Sequence, residues 1–224
     1  MKEATIIDLS YPLQSDMLVY PGHERPVFQW LGKLNSEGYN LTRLSINVHT
    51  GTHVDAPSHF IDDGSTMDNV PLDRLFGTAK LFRFTKAPAG QEITMDDVIS
   101  SGFDLEENHI FVLETGIEKF AGTAKYNEAF PVPSDDLLSF LIEKKIKAYM
   151  TDAPAIDLVG SEANAKHKIL LGAEIPIVEN LKNLPQLPEN QPFLISALPI
   201  RLVGREGAPC RAVAFPEIAG LYKE

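Results

Sequence analysis

Three imidazoles and a carboxylate fall within one short run of this chain, His49-Thr-Gly-Thr-His53-Val-Asp55-Ala-Pro-Ser-His59. All four occupy odd positions, and side chains of one parity share a face of an extended chain. Imidazole and carboxylate together suit a divalent cation of hard or borderline character. The segment leading into the run reads Leu44, Ile46, Val48 on its apolar face, which predicts packing against a core. A helix is the competing geometry, because His at i and i+4 share a helical face in zinc proteases. Thr50, Gly51, Thr52, Val54 and Pro57 all disfavour a helix interior, and Thr50 stands where those proteases carry Glu. The extended reading therefore wins. His49 and His53 would lie about 13 Å apart in a straight strand, so Gly51 must supply a bend to bring them onto one ion. His53 and Asp55, about 6.6 Å apart at Cα, chelate without one. His59 lies beyond Pro57 and is open to three roles: a ligand, a group supporting the ligands, or a free acid/base near neutral pH.

The surrounding elements read as a mixed α/β domain spanning 1–224. Strand-like runs are expected at 5–9, 27–31, 41–48, 80–84, 110–113, 148–151, 175–178, 193–198 and 212–215. Pro71 and Gly77 bracket a short amphipathic piece, and Thr94 with Asp97 resembles a cap. Ser134 is placed to cap a helix running to about Lys147, with Leu137, Leu138, Leu141 and Ile142 on its apolar face. Ser161 is expected to cap another, ending at Gly172 and carrying His167. A strand-rich start followed by alternating strands and helices indicates a single α/β unit with a mixed sheet.

Composition narrows the partners. The 224 residues fit one large domain, with 44% apolar and 23% charged residues. A net charge of −11 argues against nucleic acid, which needs clustered Lys and Arg. No apolar run approaches the roughly 20 residues of a membrane span, and the start lacks a leader-like apolar stretch. Cys210 is the single cysteine, so no internal disulfide forms and a cytoplasmic setting is expected. It reads as a buried inert thiol. Arg211 reads as a structural ion-pair member, 62–64 and 106–107 as solvated turns, and 114–116 as a strand-end turn. His23 and His109 have no assigned role. A small-molecule substrate is the expected partner.

The central run resembles the signature His-x-Gly-Thr-His-x-Asp-x-Pro-x-His of the cyclase family of metal-dependent hydrolases, which includes bacterial kynurenine formamidases and isatin hydrolases. The similarity continues through Tyr20-Pro21-Gly22, the segment Thr151-Asp-Ala-Pro-Ala-Ile-Asp157, His167, Glu179-Asn180-Leu181 and Ala197-Leu198-Pro199. The resemblance implies two divalent ions, zinc or manganese, with His49, His53 and Asp55 on one. Asp55 would bridge to a second ion held by His167 and Glu179, and His59 would be the general acid/base. Read from the residues alone, His167 would be a surface histidine and Glu179 a polar strand end; the family pattern is what promotes them. Tyr20 takes an aromatic position implied to contact substrate, although a packed ring is equally compatible with its surroundings in sequence. The implied fold is an α/β domain of the swivelling β/β/α type with a partly barrel-like sheet and peripheral helices. Homodimers or homotetramers are implied as well. The implied reaction is hydrolysis of the carbon–nitrogen bond of a small amide, formamide or lactam. Kynurenine formamidase proper is a narrower alternative, and a non-catalytic metal-binding protein a different one. Tyr20 stands where formamidases commonly carry Trp, and Thr151 and Ala155 depart from the usual Gly-Ile-Asp-Ala-Pro-Ser segment. Both departures fall where substrate would be recognised.

Overall fold

The computed structural model describes residues 5–85, 90–128 and 130–217. In chain order the strands are β1 (Ile7–Asp8), β2 (Val27–Gly32), β3 (Leu41–Ser45), β4 (His53–Asp55), β5 (Phe76–Arg83), β6 (Glu92–Ile93), β7 (Ile110–Glu114), β8 (Val132–Pro133), β9 (Tyr149–Thr151), β10 (Ile177–Glu179), β11 (Phe193–Ser196), β12 (Gly207–Pro209) and β13 (Val213–Phe215). The helices are α1 (Leu34–Glu37), α2 (Met95–Ser101), α3 (Lys125–Glu128), α4 (Asp135–Glu143) and α5 (Ala165–Gly172).

Nine strands form one mixed sheet in the order β1-β13-β11-β5-β7-β9-β10-β4-β12. Its heart, β5-β7-β9-β10, is parallel, and parallel neighbours need crossovers. The three chain segments that make them carry α2, α4 and α5. Alternation along the strands sorts the core. Ile110, Val112, Met150 and Val178 enter one apolar cluster, while Phe111, Leu113, Tyr149 and Ile177 enter a second. The second is roofed by Leu137, Leu138 and Leu141 of α4 and by Leu170 and Leu171 of α5. The first gathers Ile7 from one edge strand and Ala208 from the other. One cluster can reach both edges only if the sheet curls around it. The expected mixed, partly barrel-like α/β architecture is what forms.

Local signals held unevenly. Thr94 and Asp97 make a complete capping box, and Ser134 accepts from the Leu137 N–H. The helix after Ser134 stops at Glu143, short of Lys147, where Lys145 turns left-handed (φ 52°). The piece bracketed by Pro71 and Gly77 is only a 3-10 turn, Leu72–Arg74, and Gly77 lies inside β5, paired with Ile195. Pairing with β11 outweighs the helix-stop signal of a lone glycine. Ser161 does not cap α5; Asn164 does, in a left-handed conformation and without a side-chain bond. The largest correction concerns the segment before the motif. The strand there ends at Ser45, and Leu44 is exposed while Ile46 and Val48 are half-buried. Instead of packing on the core, β3 pairs with β2 in a separate two-stranded hairpin whose Trp30 is 56% exposed.

Candidate metal centre

The extended ribbon predicted through the motif exists only at β4. His53 and Asp55 share its face, and Val54 between them points into the apolar cluster inside the curl. His49 precedes the strand on a turn closed at Gly51, whose φ of 67° supplies the bend. His59 follows on a 3-10 turn, Pro57–His59, that Pro57 opens. Strand pairing supplies the next donor: β10 runs antiparallel to β4 with Glu179 opposite His53. α5 covers this face and delivers His167, which is buried, not on the surface as its Ala- and Lys-rich helix suggested.

The structure brings all six polar residues of the expected centre into one wall. Asp55 Oδ1 lies 2.7 Å from His49 Nδ1 and 3.1 Å from His53 Nε2. Glu179 reaches His167 Nε2 at 3.2 Å and His53 Nε2 at 3.6 Å. His167 Nε2 is 3.8 Å from Asp55 Oδ2. His59 stacks on His49 with ring centroids 4.1 Å apart, and its ring centroid is 6.1 Å from that of His167. Donor atoms of His53, Asp55 and Glu179 lie within 4.8 Å of one another, as do those of His49, Asp55 and His59. The second grouping puts His59 where the expected set had His53. Tyr20 lines the same cavity of about 240 Å³, its ring centroid 5.3 Å from that of His23.

Two observations test whether these groups suit a cation. Asp55 Oδ2 and His49 Nε2 are buried and have no hydrogen-bond partner, a costly state for polar atoms. The donor set is imidazole nitrogen and carboxylate oxygen, which is what zinc and manganese take. The residues fit a divalent ion.

The electrostatics agree. Burial alone would strip the charge from His53 and His167. The carboxylates of Asp55 and Glu179 overcome it at His53, holding it at about 9. Asp157, Glu179 and Asp55 do the same at His167, holding it at about 10. Asp55 is held well below its usual range against burial, by His53 and His49. Glu179 is raised by burial and by Asp55. The buried carboxylates thus recruit positive charge, as protons where no ion is bound. Metal uptake would release those protons. His59 differs. Burial pulls it down to about 4, with the neighbouring imidazoles pushing the same way against the charge of Asp55, so it is neutral at neutral pH.

Sequence reasoning missed the roles of Asp157, Glu206 and Gly207. Asp157 holds His167 Nδ1 at 2.6 Å. His53 has its Nδ1 fixed by the carbonyl of Gly51 at 2.8 Å. Glu206 lies 3.8 Å from His49 Nε2, and no local pattern marks it. Gly207 stands opposite Asp55 on β12, where a Cβ would meet His49 Cε1 at 2.8 Å and the Val54 carbonyl at 3.0 Å. Gly207→Ala should therefore cost about 1–3 kcal/mol in crowding and weaken metal uptake, read by thermal melting and zinc titration. His23, without an assigned role in the sequence, lines the cavity beside Tyr20. His109 sits by Glu106, outside the centre. Cys210 is half-buried, its thiol pushed up to about 12 by desolvation, and Arg211 pairs with Asp8 as expected.

A curled mixed sheet that aims a His/Asp/Glu centre at one cavity defines a hydrolase-like metal site, and comparison with known proteins gives the family. Residues 7–158 match the Cyclase family ("Putative cyclase"). The kynurenine formamidase of Bacillus mycoides is 32% identical over 96% of this chain and 100% of its own length. Isatin hydrolase A from Labrenzia aggregata, solved with benzyl benzoate, superposes with a TM-score of 0.87 at 25% identity, covering 96% of this chain and 94% of that one. A predicted metal-dependent hydrolase from Bacillus stearothermophilus gives a TM-score of 0.78 at 28% identity, covering 96% of this chain and 100% of that one. This chain belongs to the cyclase family.

Proposed function

We propose that the chain is a metal-dependent hydrolase of the carbon–nitrogen bond in a small amide, formamide or lactam. The observation that carries this reading is the orphaned, buried Oδ2 of Asp55, surrounded by imidazoles on the wall of a substrate-sized cavity. Two zinc or manganese ions are proposed, His49, His53 and Asp55 holding one, and Asp55, His167 and Glu179 the other. Ions so bound supply Lewis acidity and lower the pKa of water towards about 7. His59, neutral and beside the ligands, takes the proton of the attacking water and passes it to the departing nitrogen. Tyr20 and Phe60 line the cavity with rings that suit a flat substrate. Elemental analysis paired with a screen of formamides, lactams and isatin-like rings tests the reading. Metal below one equivalent with no turnover of any amide would remove it.

The Bacillus mycoides relative favours a narrower version, an N-formylkynurenine hydrolase. Turnover of that compound at rates matching the best amide would support it; indifference to it alongside fast lactam opening would not.

A homodimer or homotetramer is also proposed, seated on the β2–β3 hairpin. Val27, Phe28, Trp30, Leu31, Leu41 and Leu44 are all exposed there. Phe28, Trp30 and Leu44 share one face of the hairpin by register, an exposed apolar surface that suits a second copy. Trp30→Glu should shift the protein toward monomer in light scattering; an unchanged mass would place any interface elsewhere. No helix among the described residues is long and apolar enough to cross a membrane. With a single, half-buried cysteine, a cytoplasmic site of action is proposed.

A further inference from the structure

α5 begins in an unusual way. Its N-cap, Asn164, is left-handed (φ 44°) and makes no side-chain cap bond. The first N–H groups of a helix still need acceptors. They find one seven residues upstream. Asp157 Oδ1 accepts from Lys166 N at 3.1 Å, and Oδ2 accepts from His167 N at 3.0 Å. The same Oδ2 accepts from His167 Nδ1 at 2.6 Å. Both side chains are buried. One carboxylate therefore ends the helix and grips the ring of the residue it positions.

The consequence is directional. With Nδ1 committed to Asp157, the other nitrogen, Nε2, is the one that faces Glu179 Oε1 at 3.2 Å and Asp55 Oδ2 at 3.8 Å. His53 is arranged alike, its Nδ1 on the Gly51 carbonyl and its Nε2 inward. A carboxylate on the far nitrogen also makes the near one a better donor. Asp157 sits in the peptide Asp152-Ala-Pro-Ala-Ile-Asp157, where Ile156 N donates to Glu179 Oε1 at 2.9 Å. That peptide thus orients both donors on the α5 side of the centre.

We infer that Asp157 is a positioning residue, holding His167 so that Nε2 points at the cation shared with Glu179. The inference rests on the metal reading above. Its test is zinc titration of wild-type protein, Asp157→Asn and Asp157→Ala by chelator competition, with thermal melting of the metal-free forms. A second readout is the ¹⁵N spectrum of labelled histidine in the zinc-loaded protein. Losing such a partner typically weakens metal affinity by about 10–100-fold. One zinc equivalent should weaken by that amount in both variants while the other changes little, and in Asp157→Asn the His167 Nδ1–H resonance should lose its strongly hydrogen-bonded shift. Unchanged affinity for both equivalents would overturn the inference. So would equal weakening of both in step with a lower metal-free melting temperature, because Asp157 would then act only as a helix cap. Wild-type protein that takes up no zinc or manganese would overturn the metal reading and this inference together, a result distinct from either of those.

Discussion

Replacing Asp55 with Asn should strip the centre of metal and abolish hydrolysis. Among the described residues Asp55 is the one carboxylate within 4 Å of three imidazoles, those of His49, His53 and His167, and it is 1% exposed. It lies in both groups of converging donors. Removing its charge thus affects every proposed ligand at once, whereas loss of His49 affects one side. An ion's contribution to catalysis is worth several kcal/mol, so at about 1.4 kcal/mol per decade the fall in kcat/KM should be about a thousandfold or more. Asn keeps the shape of the side chain, which isolates charge from packing. A second consequence follows by mass action. Wild-type protein with zinc at about a thousand times its Kd gains about 4 kcal/mol, visible as a rise in melting temperature that chelator abolishes. Asp55→Asn should melt at the same temperature with or without zinc. A variant that kept two metal equivalents would displace Asp55 from the bridging role and leave Glu179 as the candidate.

The sequence announced the chemistry more reliably than the scaffold that carries it. Four donors of one parity could be read from a single run because residue type and spacing are local properties. The parity argument was nevertheless right for only part of the run. His53 and Asp55 are neighbours on one face of a three-residue strand, but His49 and His59 arrive by a glycine turn and a proline-led 3-10 turn. What gathers them is the enclosing fold, not extension of the chain. Glu179 and His167 were visible only through the family pattern. Their placement depends on antiparallel register with β4 and on a crossover helix packed over the sheet, both set by contacts distant in sequence. Asp157 closed a segment of the family resemblance without any sign of its role, and Gly207 carried no local signal, since an acid before a helix and a lone glycine are commonplace. The exposed hairpin shows the opposite failure. Leu44, Ile46 and Val48 read as a core face, yet among the described residues β3 pairs with β2 alone, leaving Leu44 exposed and Ile46 and Val48 only half-buried. An apolar pattern signals that a surface is to be buried without saying against which molecule.

His59→Ala should separate catalysis from metal binding, with turnover falling by about 10²–10⁴-fold and both metal equivalents retained. The side chain is half-buried, stacked on the ring of His49 and tilted against that of Phe60, and it lies outside β4, so its removal leaves the strand pairing of β4 untouched. Its backbone is fixed independently, His59 N donating to the Ala56 carbonyl and Ser58 N to that of Ser65. The variant should accordingly fold. Burial and the adjacent imidazoles keep His59 neutral at neutral pH, the form that can accept a proton, whereas His53 and His167 are drawn toward the carboxylates. That contrast within one cluster supports the proposal that His59 is the proton carrier. Added imidazole should restore part of the lost rate, because the vacated space opens onto the substrate cavity. The competing outcome is specific. Donor atoms of His59, His49 and Asp55 lie within 4.8 Å of one another, so loss of one metal equivalent from His59→Ala, without rescue by imidazole, would make His59 a ligand and move the acid/base role elsewhere.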